Sequence, residues 1–520
     1  MYKKRLLYLI IICSVIRIVI ASLVELGNDE VYYYTYALHL QQNYFDHPPA
    51  VALLIKLFTV NLYFPQEVFI RLGSIVCAAA ATWMAFKIGT LIRNERTGWY
   101  AAVLYTTSIY SSIIAGTFIL PDSPQAVFWM ASLWVMVKLV MAYRDNGKAT
   151  YAQWLLFGVL AGICIMCKVH GGFLWIGLGL YMLFYKRRMF LHPGFYLAAI
   201  VTATIISPIF LWNIQNNFIT WRYHSERVEV QHFSIDTDGF IQAFLGQIFY
   251  NNPLNVFILV AALLHIRKNK ILDTDIKRVL LFCALPIIIF VTGIALFRSV
   301  LPHWSGPGFA ALSFIGAAFL DAKISESQKP FYRIVLKSSV IFIVILIAGG
   351  IYLIRCYPGT IGNTTDPVKY GEDDFTLDLY GWKEFGAAFN TWQQDAIAKK
   401  EIAPGLHIAC NKWFPAAHID YYVARPNNNY VIGVGNPNDL HQYLWLNHYR
   451  GALNIGEDAV CIIPSNYPQD APTTYGMYFQ SVKPLHRFTE TRGDKTTRYF
   501  NVYLLQGYKG NDEAKGYKVE

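Results

Sequence analysis

Runs of about 20 apolar residues recur along this chain, and they limit what it can fold into more than any other feature of its sequence. A helix of that length spans a hydrocarbon core of about 30 Å. Only 15% of the 520 residues are charged, whereas soluble domains carry about 25%. The pattern predicts an α-helical polytopic membrane protein, and it argues against a disordered chain, a disulfide scaffold or a nucleic-acid-binding module.

Hydropathy places about eleven spans along the chain. They lie near 5–24, 67–92, 98–119, 124–143, 152–167, 171–185, 195–213, 253–266, 278–297, 307–321 and 332–354. Lysine and arginine cluster between the spans, near residues 3–5, 93–96, 144–148, 186–188, 267–278 and 323–333. All six clusters fall on one side of the membrane if the N-terminus is cytoplasmic, as the positive-inside rule requires. The net charge of +10 then reflects membrane topology and not a nucleic-acid partner.

The chain is predicted to divide in two at about residue 355. Residues 1–355 form the membrane domain, and residues 356–520 form a soluble domain on the outer, extracytoplasmic side. Strands are predicted in this second domain near 430–434, 459–463 and 499–505, and helices at 381–399, 413–424 and 439–449. These elements indicate a small α/β fold.

The first outer loop, residues 25–66, concentrates unusual residues. The part after Asp29 is amphipathic and aromatic, which predicts a helix of about 15 residues lying along the membrane surface. Glu30 stands with Asp29 at the start of this helix, and Asp46 and His47 follow its end. A reactive group at this depth can meet both an aqueous substrate and a lipid headgroup.

Acids and bases gather on the predicted outer face. The acids are Asp29, Glu30, Asp46 and Asp122, and the cations are Lys168 and Arg298, with Arg222, His47 and His303 as further candidates. A carboxylate can take a proton from an acceptor hydroxyl. Cations stabilise a departing phosphate, because its charge grows in the transition state. The combination therefore suits group transfer from a phosphate-linked donor.

These residues also have structural interpretations. Asn28 or Asp29 would cap the surface helix, and Asp46 would cap the helix that follows the double proline. Lys168 lies between two apolar runs, so it either extends to the interface or neutralises an anion. The residues alone leave these alternatives open.

At these positions the sequence resembles the GT-C glycosyltransferases, particularly the bacterial branch related to protein O-mannosyltransferases and aminoarabinose (lipid A) transferases. The resemblance rests on Asn28-Asp29-Glu30, Tyr44-Phe45-Asp46-His47-Pro48-Pro49, Pro121-Asp122-Ser123-Pro124, the turn at Lys168 and His303-Trp304. The spans and the soluble C-terminal domain are similar too, so the resemblance covers most of the chain. It implies the GT-C fold with juxtamembrane helices.

Enzymes of this kind take a sugar from a polyprenyl phosphate and pass it, with inversion of the anomeric centre, to an acceptor outside the cytoplasm. The resemblance implies that Asp29 is the catalytic acid of the first loop and that Glu30 supports it. It also implies a lysine, here Lys168, beside the donor phosphate. The predicted donor phosphate site consists of Lys168, Arg298, His47 and His303.

Asp122 matches the family's second outer acid, which binds acceptor or metal, and Asp46 shares this assignment. The sequence departs from the aminoarabinose enzymes at Asp46-His47, where those carry Glu-Lys. The phosphate-binding cation of this loop and any metal therefore stay open. Asp46, His47 and Asp122 would offer a divalent ion oxygen ligands, which suit magnesium, manganese or calcium, and an imidazole, which also suits zinc. The sequence fixes no cofactor.

The resemblance implies three partners and a location. The partners are a polyprenyl-phosphate sugar donor, the lipid bilayer, and an extracytoplasmic glycan, lipid or protein acceptor. The location is the bacterial inner membrane, crossed many times, with the N-terminus in the cytoplasm. Neither the sugar nor the acceptor can be read from the residues.

Two other functions compete with this interpretation. A transporter or flippase of lipid-linked sugars would carry charges near the bilayer midplane, but here the span interiors are almost free of charge. A phosphotransferase acting on lipid-linked substrates would need metal ligands at a recognisable spacing, and the sequence has no clear example.

Overall fold

The computed structural model describes residues 1–228, 235–265, 271–326 and 330–510. The basic clusters predicted at 267–278 and 323–333 lie partly outside these ranges. The α-helices in the described ranges are α1 (Tyr2–Leu23), α2 (Asn28–Leu38), α3 (Ala50–Phe58), α4 (Glu67–Ile92), α5 (Glu95–Thr107), α6 (Asp122–Asn146), α7 (Tyr151–Cys167), α8 (Phe173–Tyr185), α9 (Pro193–Gln215), α10 (Ile219–Val228), α11 (Thr237–Tyr250), α12 (Pro253–His265), α13 (Thr274–Ile294), α14 (Gly306–Glu326), α15 (Phe331–Arg355), α16 (Trp382–Ala398), α17 (Trp413–His418), α18 (Pro437–Leu440), α19 (Tyr443–Arg450) and α20 (Ala471–Tyr475). The strands are β1 (His407–Cys410), β2 (Val431–Gly433), β3 (Ala459–Pro464), β4 (Phe479–Arg492) and β5 (Lys495–Tyr508).

The chain packs as two compact units. The first comprises Met1–Val19, His47–Ile214 and Thr220–Ile347. The second comprises Ile20–Asp46, Gln215–Ile219 and the chain from Ala348 onward. The predicted first outer loop is therefore divided between the two units at Asp46 and His47.

Helices occupy all eleven positions at which spans are predicted. Among the described residues, seven helices are long and apolar enough to cross a membrane, namely α1, α4, α6, α9, α13, α14 and α15. The pair α11 and α12, bent by 93° at a short break, makes up to eight, and α7 and α8 are shorter apolar helices. These helices make the chain a multi-pass membrane protein.

The predicted span at 98–119 is not one continuous α-helix. Helix α5 ends at Thr107 because Ser108 has extended backbone angles, and a π-helical turn, Tyr110–Ile114, follows. The hydroxyl-bearing residues at this junction compete for backbone hydrogen bonds, which favours a break. The break places Tyr110 in the candidate site described below.

The first unit has a helical core and an apolar exterior. Helix α4 packs against α5 and α6, and α13 packs against α8 and α14. Large side chains such as Trp129, Trp154 and Phe314 are completely or almost completely buried among them. In contrast, only 22% of the most apolar window of α1, α9 or α15 is buried within the protein. Such exposed apolar surface matches contact with lipid.

The second unit contains a five-stranded mixed sheet in the order β2-β1-β3-β5-β4. Strand β1 pairs in parallel with β2 and β3, and β5 is antiparallel to β3 and β4. The three predicted strands lie in β2, β3 and β5, whereas β1 and β4 are additional. Strand β1 has only four residues, and β4 is largely polar and contains Pro484, so neither has a clear strand pattern.

Helix α2 packs against α17 inside the second unit. It ends at Leu38 and is therefore shorter than the helix predicted along the membrane surface. Its tyrosines are buried by protein: Tyr32, Tyr33, Tyr34 and Tyr36 are each at most 5% exposed. The Glu25 carboxylate, just before α2, accepts hydrogen bonds from the backbone N–H groups of Trp382 (2.8 Å) and Lys383 (3.1 Å) at the start of α16. This contact fixes the segment before α2 to the start of α16.

Candidate active site

The site in the first unit is built around the start of α6. Pro121 immediately precedes the helix, and Asp122 is its first residue. An acid in the first turn is stabilised by the positive end of the helix dipole. The side chain of Asp122 is nevertheless only 3% exposed, and a buried carboxylate needs a cationic partner.

Lys168 supplies that partner from the end of α7. Its Nζ lies 2.7 Å from Asp122 Oδ2, and its side chain is 4% exposed. Lys168 has extended backbone angles, so the chain turns there into the short 3-10 helix Val169–Gly172. A Cβ at Gly171 would lie 2.7 Å from the backbone carbon of Cys164, so this tight turn requires glycine. Asp122 and Lys168 therefore form a buried ion pair.

Two neighbouring side chains donate hydrogen bonds to Asp122 and Lys168. The hydroxyl of Tyr110 donates to Asp122 Oδ1 at 3.2 Å. The side-chain amide of Gln125, one helical turn after Asp122, donates to the backbone carbonyl of Lys168 at 3.3 Å. A Cβ at Gly306 would lie 2.5 Å from the ring of Tyr110, so the start of α14 must be glycine for this tyrosine to occupy its place.

Three histidines interact electrostatically with the ion pair, and a fourth, His224, lies near one of them. His170 and His303 interact electrostatically with both Asp122 and Lys168. His47 interacts with both as well, and its ring lies 6.1 Å from that of His224. Burial, together with the positive charge of Lys168, lowers the pKa of His47 well below its ordinary value. The imidazole of His47 is therefore neutral at pH 7 in this structure.

The structure thus brings together four residues of the predicted site: His47, Asp122, Lys168 and His303. Arg298 is half-buried in the turn after α13, in the short loop that leads to His303. His170, His224 and Tyr110 are further members that were not predicted. Of these, His170 and His224 had a signal in the sequence: His170 lies two residues after Lys168, and His224 lies two residues after Arg222.

The second unit contains the other three predicted acids. Asp29 is exposed in the first turn of α2, as a residue that meets a substrate must be. Glu30, beside it, is 2% exposed, and its Oε2 accepts a hydrogen bond from the backbone N–H of Gly27 at 2.9 Å. Glu30 therefore stabilises the start of the helix that carries Asp29, and Gly27, not Asn28 or Asp29, is the N-cap residue.

Asp46 is held by tyrosines of α2. The hydroxyl of Tyr32 donates to Asp46 Oδ1 at 3.2 Å, and the hydroxyl of Tyr36 donates to the same oxygen. The ring of Tyr36 stacks on Tyr44 at 3.9 Å. These contacts close the loop after α2 and hold its carboxylate in a fixed position.

The residues proposed as metal ligands are not assembled. Among the described residues, no three His, Cys, Asp or Glu side chains form a group that could hold a metal ion. Asp46 accepts hydrogen bonds from two tyrosines, and Asp122 is engaged by Lys168. The set of Asp46, His47 and Asp122 therefore does not fit a divalent cation in this arrangement.

Comparison with known proteins identifies the fold of this chain. A family model for dolichyl-phosphate-mannose-protein mannosyltransferase matches residues 46–212. The apo crystal structure of ArnT from Cupriavidus metallidurans superposes with a TM-score of 0.62 at 14% identity, covering 97% of this chain and 98% of that one. The chain has the GT-C fold. The predicted resemblance to the GT-C glycosyltransferases is confirmed.

A second structure of ArnT and one sequence relative extend the comparison. ArnT from Cupriavidus metallidurans bound to undecaprenyl phosphate gives a TM-score of 0.60 at 15% identity and covers 96% of this chain and 97% of that one. The lipid A galacturonosyltransferase RgtD of Rhizobium johnstonii is 20% identical over 298 residues. That match spans 57% of this chain and 60% of RgtD.

Proposed function

We propose that this protein transfers a sugar from a polyprenyl-phosphate donor to an extracytoplasmic acceptor, with inversion at the anomeric carbon. The buried ion pair of Asp122 and Lys168, with which three histidines interact electrostatically, is the observation that carries the proposal. The negative charge of Asp122 and the positive charge of Lys168 cancel, and the imidazole of His47 is neutral. A phosphate that binds beside Lys168 therefore introduces a new negative charge next to this ammonium group. The hydrogen bonds and electrostatic attraction offered there are those that a phosphate requires.

The reaction is a single displacement. Asp29 takes the proton of the acceptor hydroxyl while its oxygen attacks the anomeric carbon. The bond between the anomeric carbon and the phosphate oxygen breaks, and polyprenyl phosphate leaves with the bonding electrons. Lys168 attracts the growing phosphate charge, with His47, His303 and Arg298 as further donors. Attack from the face opposite the phosphate inverts the configuration.

The remaining acids have supporting roles in this mechanism. Glu30 keeps the first turn of α2 formed, and thereby positions Asp29. Asp122 holds the ammonium group of Lys168 in place, and Asp46 fixes the loop between α2 and α3 and is assigned to the acceptor side. The mechanism requires Asp29 and Lys168 to act on the same, extracytoplasmic face of the membrane.

The relatives support the substrate classes. Undecaprenyl phosphate is bound to one of the ArnT structures, which favours a polyprenyl-phosphate donor. RgtD is a lipid A galacturonosyltransferase, which favours a lipid or glycan acceptor. We also infer a location in the bacterial inner membrane, with a catalytic domain at 1–355 and an extracytoplasmic domain at 356–520.

Replacing Asp29 by Asn tests the proposal. The change removes the base without opening a cavity, so transfer of radiolabelled sugar in membrane vesicles should fall at least about a hundredfold, with expression and insertion unchanged. Asp439→Asn, an exposed acid on α18 in the same unit, is the matched control. Transfer at the normal rate by Asp29→Asn would show that Asp29 is not the base. Movement of lipid-linked sugar without a new glycosidic bond would instead indicate a flippase.

A further inference from the structure

The second unit contains a cavity of about 420 Å³, and none of the proposed catalytic or phosphate-binding residues lines it. It lies between the loop that carries Asp378 and the loop that follows β3, and Lys412 and Phe414 line it at the start of α17. Its size is within the range of small-molecule binding sites. The cavity belongs wholly to the soluble part of the chain.

One wall of this cavity is connected directly to α2. Asn28 Nδ2 donates to Asp378 Oδ2 at 2.9 Å and to the hydroxyl of Tyr467 at 3.1 Å. The Tyr467 hydroxyl in turn donates to Asp378 Oδ1. Asn28 is the residue before Asp29, so this network links the cavity to the helical turn that carries the proposed base.

Asn466 is the residue that points to a ligand. It lines the cavity and is only 5% exposed. Within the part of the chain that the structure describes, no group donates a hydrogen bond to its side-chain Oδ1. A buried amide oxygen without a partner is unfavourable, and a rotation of the side chain toward the cavity would bring it to a ligand hydroxyl.

The other lining groups define the chemistry of that ligand. Tyr467 and Phe414 form an aromatic corner, with ring centroids 4.9 Å apart, and Gln469 adds a second amide. Amide and carboxyl groups can both bind hydroxyls, and aromatic rings cover the apolar faces of such molecules. This is a lining for a hydroxyl-rich molecule with apolar faces, which describes a sugar.

The charge of the lining excludes acidic sugars. The ionisable groups that line the cavity are Glu372, Asp373, Asp374, Asp378 and Lys412. Carboxyl groups outnumber the single ammonium group of the lining. Asp374 is paired with the buried Arg492 at 3.5 Å and Glu372 with Lys369 at 3.8 Å, whereas Asp373 and Asp378 form no ion pair among the described residues. A phosphate or uronate would be repelled.

We propose that this cavity binds a non-acidic sugar of the acceptor. The assignment of that sugar to the acceptor rests on the proposed function, whereas its binding to the cavity does not. The network through Asn28 then couples acceptor binding to the first turn of α2. Asn466 is the residue that selects a hydroxyl at this position.

Calorimetric titration of the full chain in lipid nanodiscs tests this proposal. The probes are uncharged oligosaccharides of glucose, galactose, mannose and N-acetylglucosamine, together with trigalacturonate. At least one uncharged probe should bind saturably, and trigalacturonate should bind at least about tenfold more weakly. Asn466→Leu and Gln469→Ala should each weaken that binding about tenfold, the loss expected for one hydrogen-bonding partner.

The controls separate lost binding from lost folding. Asn466→Leu removes an amide oxygen that has no partner, so its melting temperature should equal or exceed that of the wild type. Asn390→Leu, a matched change on α16 away from the cavity, should leave binding unchanged. Absence of saturable binding to every uncharged probe, equal binding of trigalacturonate, or wild-type binding by both cavity variants would overturn the assignment.

Repeating the titration with Asp29→Asn protein distinguishes this proposal from the catalytic one. Sugar binding should persist in the Asp29→Asn variant. In protein that keeps Asp29, Asn466→Leu should raise the acceptor KM about tenfold without changing the donor KM. A protein that transfers sugar but binds none of the probes would overturn the cavity assignment alone. A protein that binds them but transfers sugar without Asp29 would overturn the catalytic mechanism alone.

Discussion

Asp122 and Asp378 are both largely removed from solvent, one in each unit, but their partners differ. Asp122 lies 2.7 Å from the ammonium group of Lys168, whereas Asp378 accepts hydrogen bonds only from neutral groups among its described contacts, Asn28 and Tyr467. Burial raises the pKa of Asp378 to about 6. The first unit therefore holds a fixed pair of charges, and the second holds a carboxyl group that can lose or gain a proton.

The difference matches the ligands assigned to the two regions. A phosphate needs a permanent cation, and a buried lysine is retained only if an acid balances it. A sugar hydroxyl needs acceptors and donors without a strong field, which a weakly ionised carboxyl group and amides supply. Both regions bury polar groups, but of these two carboxyl groups only Asp122, and not Asp378, has a cation within ion-pair distance in the part of the chain that the structure describes.

The largest predicted effect comes from breaking the ion pair. Lys168→Met leaves the Asp122 carboxylate buried with Tyr110 as its remaining described hydrogen-bond partner, and it should lower the free energy of unfolding by about 3–5 kcal/mol. Donor use should fall more than acceptor use, because the donor carries the phosphate. Thermal unfolding in detergent and separate donor and acceptor titrations measure the two effects.

A double variant provides the control for this experiment. Lys168→Met combined with Asp122→Asn removes both charges, so most of the lost stability should return while donor binding stays absent. Equal losses of donor and acceptor use in the single variant would indicate a folding defect. Donor binding restored in the double variant would show that Lys168 does not contact the phosphate.

A smaller, pH-dependent effect is expected at Asp378. Its pKa is raised from 3.8 to about 6, so the folded state holds this proton more tightly than the unfolded chain between those values. Its contribution to stability is therefore most favourable below about pH 4, decreases as the pH rises to 6, and is constant above that. The total change is roughly 3 kcal/mol, from about 1.4 kcal/mol for each pKa unit.

Asp378→Asn cannot ionise, so it tests this difference directly. The variant should be about 2 kcal/mol more stable than wild type at pH 8, after the loss of about 1 kcal/mol for one hydrogen bond. At pH 4.5 the two proteins should differ by less than about 1 kcal/mol. Melting temperatures at both pH values measure the change, and a stability difference that does not vary with pH would contradict it.

The smallest effect is expected at Glu30. Glu30→Gln keeps an acceptor for the Gly27 N–H and loses only the interaction of its charge with the helix dipole, worth about 0.3–1 kcal/mol. The transfer rate should therefore stay within about threefold of wild type. A loss as large as that of Asp29→Asn would make Glu30 a proton-transfer group in its own right.

Most helices could be predicted from the sequence because long apolar runs are strong signals. The helices at 67–92 and 382–398 match the predicted ranges to within a residue. The break after Thr107 could not be foreseen, because it depends on the backbone at Ser108 within a run that remains apolar. Strand β4 was missed because its pairing with β5, and not an apolar pattern, forms it.

The candidate site was predictable where a charge stands in an unusual place. Lys168 between two apolar runs and Asp122 beside a proline were both recognised, and the structure pairs them. Tyr110 was missed because a tyrosine in an apolar run is an ordinary residue, and His224 was not assigned to the site because a histidine in a polar segment is ordinary too. Their places in the site depend on contacts between residues that are separated in the sequence. Tyr110 is 12 residues from Asp122, and His224 is much farther from His47.

The central claim is that Asp29 and Lys168 act on one extracytoplasmic face, and cysteine labelling tests it most directly. Asp29→Cys and Val169→Cys place thiols at exposed positions, in a chain whose eight native cysteines are replaced. Lys4→Cys serves as the cytoplasmic reference. A membrane-impermeant maleimide added to intact cells should label positions 29 and 169 and reach position 4 only after permeabilisation. Labelling of 29 and 169 from opposite sides would contradict the account.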